Sequence, residues 1–125
     1  MAIKILLIAL AGSTGTLARY GLDGLVERTW GASFPWGTLV VNVVGCFAAG
    51  FAWAMFESRW SESGDIKTIV LIGFFGAFTT FSAFILATGE LTQSSAWLHA
   101  FGNVMMQNGI GLVALFAGII IARAT

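Results

Sequence analysis

Apolar positions run on along this chain instead of alternating with polar ones. The first stretch extends from about Ile3 to Val26, ends in Glu27-Arg28-Thr29 and gives way to a loop through Gly31-Ala32-Ser33. The second runs from about Trp36 to Phe56 and stops at Glu57-Ser58-Arg59. Ser61-Glu62-Ser63-Gly64-Asp65 is the most water-seeking piece, with Asp65 placed to cap the helix that follows. The third stretch covers about Ile66 to Leu91, Thr92-Gln93-Ser94-Ser95 turns the chain, and the fourth fills Ala96 to Ala122. Each approaches or exceeds the roughly 20 residues that a helical span needs. Continuous apolar runs are the wrong pattern for barrel strands. The pattern therefore predicts an all-α membrane protein, a single four-span domain over residues 1–125 with spans at about 3–26, 36–56, 66–91 and 96–122. Pro35 suits the start of the second helix.

Composition agrees. The chain is 58% hydrophobic and 10% charged, against about 25% charged in an ordinary soluble domain. A core built from 125 residues cannot hide that much apolar surface, so lipid is the solvent for much of it. Sixteen glycines and a single proline suit membrane helices that approach closely. Zero net charge offers no nucleic-acid surface. Cys46 is the only cysteine, excludes an internal disulfide, and reads as a small core residue. Ile3 to Ala11 has the length of a signal-peptide core. Because Gly12 to Tyr20 continues with helical spacing, it reads instead as the start of the first span.

Four spans put both termini on one side, with Lys4, Arg59, Lys67 and Arg123 there and Arg28 and Arg19 toward the other. That is a weak positive-inside bias, compatible with insertion either way round. Trp30, Trp36, Trp60 and Trp97 lie near span ends as interfacial anchors, and Trp53 sits deeper as a packing or lipid contact.

Catalysis finds no footing. The sequence has no serine–histidine–acid set, no paired metal-ligating histidines or cysteines, and no phosphate loop. Polar groups inside hydrocarbon are costly, which makes them the candidates for function. In the first span, Arg19 and Asp23 are spaced for a local pair, or Arg19 snorkels to the interface; the alternative is an Arg19 that draws anions into an aqueous vestibule. In the second, Asn42 is an amide among valines, either bonding across helices or turning its NH2 group toward a conducting ion. The third span carries the densest signal, Gly73-Phe74-Phe75-Gly76-Ala77-Phe78-Thr79-Thr80-Phe81-Ser82-Ala83-Phe84. Glycine with adjacent threonines can interrupt a helix and free carbonyls, which suit a hard cation such as Na+. Phe81 and Phe84 share a helix face, as packing or lipid contacts or as positive ring edges along which an anion passes. The fourth span offers a polar strip of Asn103, Gln107 and Asn108, with His99 near its entry as an inert interfacial group or a pH sensor.

Three segments carry a resemblance. Gly12-x-x-Gly15-x-x-x-Arg19-Tyr20, Pro35-x-Gly37-Thr38-Leu39-x-x-Asn42-x-x-Gly45 and Gly73-Phe74-x-Gly76-x-x-Thr79-Thr80-Phe81-Ser82-x-Phe84 together resemble the Fluc (CrcB) family of bacterial fluoride channels over essentially the whole chain. The resemblance implies an antiparallel, dual-topology dimer of four-helix subunits in the cell membrane, each third helix broken, with two fluoride pathways. It implies a structural Na+ at the dimer centre, held by backbone carbonyls of Gly76 and Thr79. It assigns the pathway to Asn42, Phe81 and Phe84, with the hydroxyls of Thr80 and Ser82 beside them and Arg19 at a vestibule. The implied activity is passive exit of fluoride that entered as HF and dissociated inside. The partner is a second copy or a paralogous subunit.

The sequence departs from the family pattern at several positions. Ala77 replaces the second glycine of a pair, and Ala83 stands where threonine or serine is common. Ala87 occupies a frequent glutamate position, with Glu90 nearby, and Met106 and Ile110 replace serines of some relatives. A small dual-topology multidrug exporter is the rival reading. Those proteins rely on a glutamate embedded in the first span, and this chain has none near the span centre. A non-conducting assembly subunit is the third.

Overall fold

Lipid offers no partner for a backbone N–H or C=O, so each apolar run must satisfy its own groups, and a helix does so. The computed structural model describes all 125 residues, and every regular element in it is a helix. Helix α1 spans Ala2–Trp30 and α2 spans Trp36–Ser58. The third span is composite: α3 (Gly64–Thr68), a π-helical segment (Ile69–Phe75), α4 (Gly76–Phe78), an interruption at Thr79 and Thr80, then α5 (Phe81–Gln93). Helix α6 spans Trp97–Ala124. Four segments, Ala2–Trp30, Trp36–Ser58, Gly64–Gln93 and Trp97–Ala124, are long and apolar enough to cross a membrane. The chain is a multi-pass membrane protein.

Helix ends follow local chemistry. The first helix stops at Gly31, whose φ of 84° lies in the left-handed region that glycine enters freely. Pro35 immediately precedes α2 with φ −75°, near its ring-fixed value. Asp65 does not cap α3, contrary to the sequence expectation. Ser63 holds the capping position without a side-chain bond, and Asp65 in the first turn pairs with Lys4 at 2.7 Å. A carboxylate there is already favoured by the helix dipole, and α1 brings an ammonium within reach. Lys67 and Glu57 form the other ion pair, on the same side as the termini.

Two helix pairs make most of the packing, and both use glycine. Helices α2 and α6 run along each other, with Gly50 against the Leu115 backbone and Gly118 against the backbone of Phe47 and Phe51. Helix α1 packs on the π segment and α4. There Gly15 lies on the Phe74 carbonyl, and Gly73 faces Ala11, whose Cβ would be 3.0 Å from an added methyl. Small residues let backbones close, which is how helices associate without a hydrophobic drive between them. Only 19 of 125 residues are buried, so most apolar side chains are left for lipid or for another protein surface.

Candidate functional site

The interruption in the third span is where the backbone ladder fails and side chains take over. Thr79 is extended (φ −80°, ψ 157°), as is Thr80 (φ −148°, ψ 117°). In an unbroken helix the Thr80 N–H would serve the Gly76 carbonyl, and the Ala83 N–H would serve that of Thr79. Here the Thr80 N–H donates to Asn42 Oδ1 at 2.8 Å, and the Ala83 N–H donates to Thr80 Oγ1 at 3.2 Å. Thr80 thereby caps α5, as a threonine before a helix readily does.

Asn42 answers the break from α2. It accepts from the Thr80 N–H and donates through Nδ2 to the Thr80 carbonyl at 3.0 Å, so one side-chain amide pairs with one residue's donor and acceptor at once. The second N–H of the amide goes to Gln107 Oε1 on α6, also at 3.0 Å. Both hydrogens of the NH2 group are thus committed to protein. Of the two readings open for Asn42 in sequence, this is the bond across helices. Gln107 in turn donates to Asn103 Oδ1 at 3.4 Å, and Asn103 donates to Thr88 Oγ1 at 2.9 Å.

A groove of about 410 Å³ lies over the break. Asn42, Gly76, Thr79, Thr80, Phe81 and Phe84 all line it, beside Gln107 and Asn108. No charged side chain is among its lining residues. The rings of Phe81 and Phe84 meet edge to face, 5.7 Å between centroids at 66°, an arrangement set by their positive edges and negative faces. They differ in setting: Phe84 is 6% exposed and Phe81 74%. Gly76 is helical, with φ −61° and ψ −31°, so the break comes from the extended torsions of Thr79 and Thr80 and not from any special glycine conformation. The carbonyls it deprives of helical donors are those of Gly76 and Thr79. Ser82 is exposed and does not line the groove.

Two comparisons fit this geometry. The family profile described as "CrcB-like protein, Camphor Resistance (CrcB)" matches residues 6–119. The chain belongs to this CrcB-like family. It is 58% identical over 120 residues to a protein of Desulforapulum autotrophicum named fluoride-specific ion channel FluC, covering 96% of each chain. It is 51% identical, again over 96% of each, to a protein of that name from Nitrosococcus oceani, and 46% identical to one from Solidesulfovibrio magneticus.

In this CrcB-like chain Arg19 lies apart from the main groove. It lines a cavity of about 220 Å³ with Thr16, Tyr20, Asp23, Thr38, Thr80 and Ala83. Arg19 and Asp23 form no ion pair, so the local pairing suggested by their spacing is not made. Asp23 instead lays Oδ1 over Gly37 at the start of α2, buried and without a hydrogen-bond partner. Thr80 borders both the cavity and the groove. Asn108, grouped in sequence with Asn103 and Gln107, is exposed and bonds the Val104 carbonyl of its own helix at 2.8 Å.

The Gln107 contact with Asn42 joins residues 65 apart. The available signal was the four-residue spacing of Asn103 and Gln107, which puts both amides on one face.

Proposed function

We propose that this chain is the subunit of a fluoride-selective channel through which cytoplasmic fluoride leaves passively. The observation that carries the reading is the groove over the broken third span. Freed backbone, amides and a ring pair converge there inside a membrane span, and relatives covering the same length bear the name of fluoride channels. An anion shedding water along such a path is compensated by ring edges and hydroxyls. With the NH2 group of Asn42 committed, the compensating groups within reach are the Phe81 and Phe84 edges and Thr80 Oγ1. Arg19, on the far side of Thr80, raises the local concentration of anions at the adjoining cavity.

The subunit works as an antiparallel dimer in this reading. A groove in which the Gly76 and Thr79 carbonyls lack their helical donors cannot face hydrocarbon, where unsatisfied polar groups are costly. A second copy covers it, and the near balance of basic residues between the two ends suits either orientation. Na+ belongs at the dimer centre. Its ligands are the Gly76 and Thr79 carbonyls, whose usual helical donors are engaged by Asn42 Oδ1 and Thr80 Oγ1. Neutral oxygen donors without a carboxylate fit a hard monovalent cation. Such an ion supplies a fixed positive charge between the subunits.

Fluoride efflux from liposomes containing the purified protein tests the function directly. Electrogenic fluoride release, blocked when no counter-ion path is provided, is the expected result. Proton- or cation-coupled release of organic cations without fluoride flux would assign the chain to the exporters. No flux of either kind would leave an assembly subunit.

A further inference from the structure

The bonds that leave Asn42 form a relay with one permitted direction. The Thr80 N–H can only donate, so the Asn42 atom facing it must be Oδ1. That places Nδ2 toward Gln107, which must answer with Oε1. Gln107 then presents Nε2 to Asn103 Oδ1, and Asn103 presents Nδ2 to Thr88 Oγ1. The Thr88 hydroxyl closes the series by donating to the Phe84 carbonyl at 2.8 Å. A single backbone N–H fixes the orientation of three amides and a hydroxyl. The relay leaves the third span at Thr80, crosses α2 and α6, re-enters it at Thr88 and ends on the Phe84 carbonyl, one helical turn beyond Thr80. The Thr80–Phe84 turn that it ties together carries both Phe81 and Phe84. Asn103 is fully buried and Gln107 9% exposed, so losing any link strands a donor or acceptor away from water.

We propose that Gln107 and Asn103 are positioning residues for conduction: through Asn42 and Thr88 they hold the Thr80–Phe84 turn, and with it the ring pair, in its conducting geometry. This rests on the channel reading above. Gln107 is the central link, because it must accept from α2 and donate along α6 at once. The 3.4 Å bond from Gln107 to Asn103 is the longest in the series, so replacing Asn103 matters less than replacing Gln107.

The test uses the full-length protein in planar bilayers, where neutral HF carries no current, together with hydrogen exchange at the Thr80 amide measured by NMR. Gln107→Leu should lower fluoride current about tenfold and speed Thr80 exchange by a similar factor, the consequence of one buried link lost. Gln107→Glu supplies the sharper readout, since a protonated carboxyl accepts through one oxygen and donates through the other, as the amide does. Its current relative to the parent should rise as pH falls, and Thr80 protection should rise with it. When ionised, the carboxylate still accepts from Asn42 but has no proton for Asn103.

Cys46 is the only titratable side chain lining the groove. Glu90 on α5 and His99 on α6 are exposed, and normalising to the parent at each pH removes their contribution. Thr80 exchange unchanged in Gln107→Leu would overturn the proposal, whether or not current falls, because Gln107 would then act on the ion or on nothing. A flat pH ratio for Gln107→Glu would overturn it as well. A parent without fluoride current would instead defeat the channel reading, while Thr80 exchange still reports on the relay.

Discussion

The α2–α6 pair and the third span solve the same problem in opposite ways. Both must bury backbone in a solvent that offers no hydrogen bonds. The α2–α6 pair keeps its helical ladder whole and gains contact by subtraction, glycine by glycine, so that Gly50 and Gly118 lie on the neighbouring backbone. The third span gives up its ladder at Thr79 and Thr80 and is repaired from outside by Asn42, a residue 38 positions earlier in the chain. The first arrangement yields adhesion between spans. The second yields polar groups in mid-membrane, held in fixed directions, which an ion pathway requires and an intact helix cannot offer.

The sharpest way to break this contrast is to remove the repair. Asn42→Ala leaves the Thr80 N–H, the Thr80 carbonyl and Gln107 Oε1 without their partner. At about 1–3 kcal/mol for each stranded group, fluoride efflux should fall about a hundredfold or more. Asn42→Asp should be worse still. It keeps the acceptor for the Thr80 N–H but sets an oxygen against the Thr80 carbonyl and against Gln107, and its charge opposes an anion in low dielectric. Efflux rates of the two variants in liposomes decide this; equal loss would remove the electrostatic component.

The other half of the contrast is tested on the intact pair. A methyl at Gly118 would collide with the Phe47 carbonyl, and its next neighbour is the Phe51 nitrogen at 2.9 Å. Neither is the flexible end of a side chain. Gly118→Ala should therefore cost about 1–3 kcal/mol through forced separation of α2 and α6. The loss should show in thermal unfolding of the detergent-solubilised protein, with fluoride flux per folded channel little changed. Loss of flux at unchanged stability would mean that the pair shapes the pathway as well as holding it.

The same contrast explains what could be read in the sequence. Spans were legible because twenty or more apolar residues in a row allow one solution in lipid. The break was legible because Thr79-Thr80 follows Gly73 and Gly76, a combination out of place mid-helix. The π-helical segment was not. Ile69-Val70-Leu71-Ile72 is an ordinary apolar helix by any local rule, and nothing in that run signals the wider turn that packs on α1. Nor was the use of Asn42 settled, since an amide among valines states a need without naming the partner. Arg19 and Asp23 had the spacing of a pair, but Asp23 turns toward Gly37, where the start of α2 offers the positive end of a helix dipole. The resemblance added what local rules lacked, grouping Asn42, Phe81 and Phe84 before any geometry was known.

Within the groove the two rings offer a smaller and more selective test. Phe81→Ile and Phe84→Ile each remove one positive edge and the edge-to-face contact between them, worth about 0.5–1.5 kcal/mol. Flux should fall about three- to tenfold in both. They should part company in stability, because Phe84 is buried and Phe81 is largely exposed in the subunit. Unfolding temperature should drop more for Phe84→Ile than for Phe81→Ile, which loses the ring contact but little buried surface. Unchanged flux in both variants would return the rings to packing.

The smallest effect expected inside one subunit is at Gly76, and that makes it informative about what lies outside. Gly76 has helical torsions, and an added Cβ would meet only the Leu71 carbonyl, at 3.8 Å. Considered alone, the subunit should accept Gly76→Ala or even gain from it, since alanine is favoured over glycine in a helix by about 1 kcal/mol. Gly45→Ala is the control, because its methyl would strike the Thr79 side chain and the Phe78 ring within the same subunit. If the groove is closed by a second copy around Na+, the two variants diverge. Gly76→Ala should leave helix content intact while it weakens the dimer in detergent and raises the Na+ concentration needed for full flux, because ion and dimer stabilise each other by mass action. Gly45→Ala should disturb the subunit whatever its partner. Chemical cross-linking and a Na+ titration of fluoride efflux measure both. A Gly76→Ala protein as dimeric and as Na+-responsive as its parent would take Gly76 out of the interface, and with it the assignment of its carbonyl to the central cation.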